Sequence, residues 1–477
     1  MNLIMMTPMK HRSLLAGTIL PLLLIFGPPG AVTAAPLAGA QDAPITLPQA
    51  VEQALSRYPA VKAALEQAAA ATAEINLART AWLPRADFVA QINRATRNNT
   101  FGLLLPQGLI PSISGPVLGT NDSTNVWGSA AGVLVSWEPF DFGLRRAALE
   151  AAESGSGRAE AGVAVTRLRI STAAADAFLT LLAAEQTVIA AKAGAERAKV
   201  LDRVTGSLAL SGLRPGADAA RSHAEVALAD SQLIESEQAA EVARAALSQM
   251  LGVPASQVVV RSDPLLTAPP EDELPGVAPE DHPLAREQAA VVHEAQALER
   301  QQRRSYYPRI ALQGSVYARG TGAELDGTTG GSFSGLAPSV QNWAVGLTAT
   351  FAALDLPAIH ARQEAQAGRE RAAEAQYAQI LLDLRIQLDQ ARARLKGARR
   401  VAQNTPIALD AARSAELQAA ARYGTGLSNV TDVADAERLL TRAEIDDSLA
   451  RLAVWRALLG VAAAQGDLQP FLAWAAR

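Results

Sequence analysis

Four short stretches of the chain alternate apolar and polar residues, and long Ala-rich stretches lie around them. Ala86, Phe88, Ala90 and Ile92 alternate with Asp87, Gln91 and Asn93. Ile310, Leu312, Gly314 and Val316 alternate with Gln313, Ser315 and Tyr317. Trp343, Val345, Leu347, Ala349 and Phe351 share one face of a third segment, and 126–137 is the fourth. A period of two predicts strands with two unlike faces. Loops rich in Gly, Pro, Ser, Asn and Thr join them in pairs, at about 96–124 and 320–341. Two β-hairpins are therefore expected, over 85–137 and 309–351.

Proline brackets the helices before each hairpin. Pro59 opens one that Pro84 ends, and Pro283 opens another that Pro308 ends; both pairs are offset by 224 residues. Pro fits the first turn of a helix and stops one later on. A long helix is expected after each hairpin, at about 144–205 and 358–422, the second with Pro406 inside it. Each runs into a Gly-marked turn. Gly212-Leu213 and Gly426-Leu427 are 214 apart, as are Asp141 and Asp355, and Asp218 and Asp432. The ten residues lost between the two offsets fall in the hairpin loop, where length changes are tolerated. Final helices follow, at about 215–251 and 429–464. The chain is thus two copies of one plan, 41–252 and 281–477. The Pro-rich segment 253–280 between them is expected to run along the side as a linker, outside the core. At 1.5 Å per residue the long helices span roughly 90–98 Å, and the two short helices of a copy sum to roughly 87 Å.

Composition supports thin helices over a thick core. About a hundred of the 477 residues are Ala, the best helix former, and only 4% are aromatic. Residues 1–40 read as a signal peptide: Lys10 and Arg12 precede an apolar run from Leu14 to Phe26, and Ala34 and Ala40 are candidate ends. The run is short for a membrane anchor, and Pro21 interrupts it. No later stretch reaches 18 consecutive apolar residues, so membrane contact is expected through strands or surface. Zero Cys excludes a disulfide framework and a thiolate metal site. A net charge of −4 argues against a nucleic-acid partner.

Chemistry-bearing motifs are missing. There is no nucleophile elbow, phosphate loop, zincin motif or dinucleotide fingerprint. His11, His223, His282, His293 and His360 include no pair at helical ligand spacing, and those beyond the leader are expected as solvated helix residues. No enzyme activity, metal or cofactor is expected. The informative stretch is the second turn, where Asp432 and Asp435 stand three apart near a helix start and share a face. In an oligomer they would ring a narrow neck and favour cations. Alternatively they offset the helix dipole, worth about 0.3–1 kcal/mol. Spacing alone does not separate these.

The stretch Leu47-Pro48-Gln49-Ala50-Val51-Glu52-Gln53-Ala54-Leu55, followed by Pro59, Ala78-Arg79 and Leu83-Pro84, resembles the opening motif of the TolC-type outer membrane efflux family. The duplication, the hairpins and the Gly-marked turns resemble it too, over essentially all of the mature chain. The resemblance implies a mostly α, internally duplicated homotrimer in the outer membrane of a Gram-negative bacterium. Each chain would give four strands to a shared twelve-stranded β-barrel, and its helices to a periplasmic α-barrel. It also implies a passive exit duct for a tripartite efflux pump or a type I secretion system. Its partners would be outer-membrane lipid, a periplasmic adaptor (membrane fusion) protein and an inner-membrane RND, ABC or MFS pump. By the same match Asp432 and Asp435 fall on the pore constriction. Tyr423 falls on a Tyr that holds the closed tip, and Ser428 stands where that latch has an Arg. The first turn offers Arg214 instead. Gly212, Leu213, Arg214, Gly426 and Leu427 would either meet the adaptor or form plain solvated turns.

The residues agree independently on oligomerisation. Four strands of about ten residues suit an outer membrane, yet they cannot close a barrel, and an open edge is not viable in lipid. Trp127, Trp137, Trp343 and Phe351 lie near strand ends, as an aromatic girdle would, or pack there as ordinary strand residues. The rival is a soluble periplasmic coiled-coil protein of the adaptor type. That type needs a lipoyl-like β-domain, which the chain lacks.

Overall fold

The computed structural model describes residues 44–96, 124–263, 265–266, 272, 274–324, 328–351 and 353–476. The leader 1–40 and most of the first hairpin loop lie outside the described residues. Helices α1 (Leu47–Arg57) and α2 (Pro59–Thr80) lead into strands β1 (Arg85–Thr96) and β2 (Asn125–Phe140), and α3 (Leu144–Leu210) and α4 (Gly216–Leu251) follow. The second half runs α5 (Pro283–Arg304), β3 (Arg309–Thr321), β4 (Val340–Thr350), α6 (Leu356–Gly424) and α7 (Val430–Gln465), and ends in α8 (Gln469–Ala475). The repeat shows in the lengths: α2 and α5 both have 22 residues, and α4 and α7 both have 36. The long helices α3 and α6 have 67 and 69.

Local chemistry fixes the breaks. Tyr58, ahead of Pro59, is extended at φ −68° and ψ 126°, which parts α1 from α2. His282 does the same ahead of Pro283. Its Nδ1 accepts from the Leu284 N–H at 3.1 Å, and its Nε2 lies 3.2 Å from the Ala463 carbonyl. His282 is therefore a buried capping residue, not the solvated one expected, and burial holds its pKa below the usual imidazole value.

The four strands form one antiparallel sheet in the order β1-β2-β3-β4, so β2–β3 pairing joins the two hairpins. Phe88 pairs with Val133, Val133 with Val316 and Val316 with Trp343. That register gathers Ala86, Phe88, Val135, Leu312, Val345 and Leu347 on one face. Asp87, Gln91, Gln313, Ser315, Asn342 and Thr348 lie on the other.

Helix α3 is the backbone of the packing. It packs against α2 and α4 and also against α5 and α7, while α6 packs on α5 and α7. The densest core lies where α1, α3, α4, α7 and α8 meet, around Phe178, Leu182, Leu247, Trp455, Leu458 and Phe471. Each such side chain is worth about 1.5–3 kcal/mol of burial. Trp455 and Phe471 meet edge to face at 6.2 Å. Helix α3 has an 18-residue window apolar enough to cross a membrane by composition. It also carries Phe178, Leu179, Leu181 and Leu182, all buried in this core.

The linker is more than a side strap. Ile45 and Val260 form a parallel bridge, and Ile45 N–H donates to the Val259 carbonyl at 2.8 Å. Val258, Leu265 and Leu274 join the main core, against the expectation that this segment stays outside it.

Candidate functional site

The two interhelical turns are built alike. In the first, Gly212 takes φ +69°, and the Leu208 carbonyl accepts from Leu213 N–H at 2.9 Å. In the second, Gly426 takes φ +79°, and the Arg422 carbonyl accepts from Leu427 N–H at 2.8 Å. Both are Schellman turns, which need a left-handed residue just past the helix and so select Gly. They leave Leu213 and Leu427 exposed at the tips, 71% and 72%.

Arg214 and Tyr423 join the turns. The Arg214 guanidinium lies 4.7 Å from the centre of the Tyr423 ring and donates to the Tyr423 carbonyl at 3.0 Å. Tyr423 is buried with Leu201, Val430 and Val433. Its hydroxyl has no hydrogen-bond partner among the described residues, nor has the Ser428 Oγ. Burial, with help from the Asp218 carboxylate, raises the phenol pKa, and Arg214 pulls it the other way. Tyr423 is therefore held by its ring and backbone, and Ser428 takes no part in the link.

Asp432 and Asp435 both lie on the exposed side of the first turns of α7. Asn429 caps the helix, its Oδ1 accepting from Asp432 N–H at 3.0 Å. Asp435 pairs with Arg438, and Arg438 also lies 3.9 Å from Glu225 of α4. The sequence reading missed Arg438 as a counter-charge, although its i,i+3 spacing from Asp435 is a legible signal.

The sheet supplies the second functional surface. Its apolar face is exposed: Phe88, Val316, Trp343, Val345 and Leu347 are all open. Where strands meet helices, Phe142 stacks on Tyr307 at 5.4 Å, Phe140 meets Phe142 at 4.6 Å, and Tyr306 meets Phe351 at 6.1 Å. Trp137 donates to the Trp82 carbonyl at 3.0 Å in the same zone. Of the four expected girdle residues, only Trp137 and Phe351 lie in this cluster. Trp343 pairs mid-strand with Val316, and Trp127 sits near the loop end with Arg94 5.1 Å from its ring.

An exposed apolar sheet face, an aromatic belt beneath it and long Gly-turned helix pairs define a duplicated outer-membrane channel subunit. The family model described as "Outer membrane efflux protein" matches residues 50–253 and 274–467, most of the chain. The chain belongs to that family, whose place is the outer membrane. No curated protein matches it. Solved structures share its fold. The CmeC outer membrane channel of Campylobacter jejuni is 18% identical at a TM-score of 0.70, over 88% of this chain and 85% of that one. The open-state MtrE outer membrane channel of Neisseria gonorrhoeae is 20% identical at 0.69, over 88% and 89%. The outer-membrane channel OprN is 22% identical at 0.69, over 88% and 89%.

Proposed function

We propose that three copies of this chain close into one passive channel-tunnel, the exit duct of a tripartite efflux pump or type I secretion system. The observation that carries this is the sheet. Among the described residues it has four strands, unpaired edges on β1 and β4, one apolar face and one polar face. Edges of this kind need closure in lipid, and three copies give an even-numbered barrel with a lipid-facing outside and a polar lumen. Residues 1–40 serve as the leader that delivers the chain to the periplasm. The repeats 41–252 and 281–477 extend their helices from the barrel as the periplasmic tunnel.

At the far end, Asp432 and Asp435 ring the constriction, and the Arg214–Tyr423 contact holds it shut. The turns at Gly212, Leu213, Gly426 and Leu427 meet a periplasmic adaptor, which links the duct to an RND, ABC or MFS pump. The likeness in fold to the outer membrane channels OprN, CmeC and MtrE supports the reading. Cell fractionation and planar bilayers test it. Heat-modifiable protein in the outer membrane that forms conducting channels is expected. A soluble periplasmic monomer without conductance would overturn it in favour of an adaptor-type role.

A further inference from the structure

Between the tips and the main core, α3, α4 and α7 line a half-open cavity of about 260 Å³. Its α3 wall is small: Ala191, Ala195 and Ala198 are all buried. A Cβ on Gly194 would stand 2.6 Å from Thr441 Oγ1, so α3 and α7 are in close contact here. Helices α4 and α7 touch little and face each other across the cavity.

Glu437 of α7 lines this cavity, half-buried; its carbonyl accepts from Thr441 Oγ1 at 3.0 Å, but its carboxylate has no hydrogen bond or ion pair to any described residue. Acids face it from two other helices, Glu416 from α6 and Glu225 from α4. Arg197 of α3 is the facing cation, but it already donates to Thr441 at 2.8 Å and Glu444 at 2.9 Å. On α7 itself Arg438 is held by Asp435 and lies 3.9 Å from Glu225, and Arg442 is held by Asp446. Lys199 of α3 is held by Asp230 and Glu196. Among the described residues no cation pairs with the Glu437 carboxylate. Burial first, then Glu416, raise its pKa from 4.5 to about 7.

Further from the tip, Pro406 lies inside α6, which runs on through it. Pro has no N–H to give, so the helix lacks one of its own hydrogen bonds there. Thr405 donates to Asp447 of α7 at 3.0 Å, and Arg451 pairs with Asp447, which ties α6 to α7 at that level. Glu416 lies on the tip side of Pro406.

We infer that Glu437 and its facing acids form a proton-dependent joint in the tip half of the chain. Protonated, Glu437 lets the tip halves of α6 and α7 pack on α3 and α4. Ionised, it drives them apart at the Pro406 level. The sign follows from linkage. Below about pH 4.5 the carboxyl is neutral in both arrangements and favours neither. From there to about pH 7 the packed form holds its proton while the open form releases it. The packed-to-open ratio then falls about tenfold per pH unit, to a total on the order of 10²-fold, less for solvent reaching a half-buried group. An acidic periplasm packs the tip, and a neutral one loosens it. The joint belongs to a single chain and goes beyond the duct reading.

The absence of Cys allows a clean test on the full-length protein. Spin labels on cysteines introduced at exposed Arg221 of α4 and Leu439 of α7 report their separation by pulsed dipolar spectroscopy at pH 5 and pH 8. The parent is expected to lengthen and broaden at pH 8. Glu437→Gln, near-isosteric and uncharged, is expected to keep the pH 5 distance at both values. Glu416→Gln is expected to retain the transition but move it to higher pH, because removing a neighbouring acid lets Glu437 ionise with less strain on the packed form. A parent distance unchanged with pH, or a Glu437→Gln variant that still responds like the parent, overturns the joint. None of these readings requires the protein to conduct, so failure of the duct reading shows separately.

Discussion

Arg214→Ala should loosen the closed tip, and the size of the effect can be worked from the contact it removes. Arg214 gives the Tyr423 carbonyl one charge-assisted hydrogen bond at 3.0 Å and lies 4.7 Å from the ring centre. A hydrogen bond from a charged donor contributes about 1.5–3 kcal/mol, and a cation–π contact about 0.5–2 kcal/mol. Arg214 is half-buried, so water compensates part of both. A net loss of about 1–3 kcal/mol follows, a factor of roughly 5–150 in the equilibrium between linked and parted turns. Single-channel recording in planar bilayers reads this as higher conductance or a larger open fraction. Arg214→Lys should fall between, because an ammonium keeps the charge without the planar fork. Tyr423→Phe is the control. Its hydroxyl has no partner among the described residues, so the variant should conduct like the parent. Parental conductance from Arg214→Ala, or opening by Tyr423→Phe of equal size, would refute the link.

Asp432 and Asp435 should not weigh equally. Arg438 already offsets Asp435, so Asp432→Asn should shift the reversal potential in a salt gradient more than Asp435→Asn, and the double variant more than either. Unchanged selectivity in the double variant would leave only the helix-dipole role. Gly466→Ala should destabilise the core by about 2–4 kcal/mol, from left-handed strain and overpacking. Gly466 sits at φ +79°, and a Cβ there would stand 2.5 Å from Pro283 Cδ and 2.7 Å from His282 Cδ2. Chemical denaturation followed by far-UV circular dichroism reads the loss, and a parental midpoint would contradict it.

Much of the architecture was legible because its signals are local. Alternation gave the four strands, Pro gave the helix starts, and Gly with a constant offset gave the paired turns. The misses have local causes as well. Strand β2 runs on to Phe140 through an irregularity between Trp137 and Phe140, where Glu138-Pro139 reads as a stop. Pro is tolerated at such bulges, and sequence alone cannot place one. Helix α3 reaches Leu210 through Gly206, which looks like an end but meets no neighbour there and leaves the helix unbroken. The site was less legible. Arg214 and Tyr423 are 209 residues apart, and their contact appears only once two turns stand side by side. Glu437 looks like an ordinary surface acid until α4 and α6 bring Glu225 and Glu416 towards it.

The central claim is closure of the four-stranded sheets of several copies into one barrel. Native mass measurement of the protein extracted from outer membranes in mild detergent tests it most directly. The account predicts a single species of three times the mature chain mass, which dissociates only when heated. A stable monomer, or a species whose strand total cannot close a barrel, would contradict it.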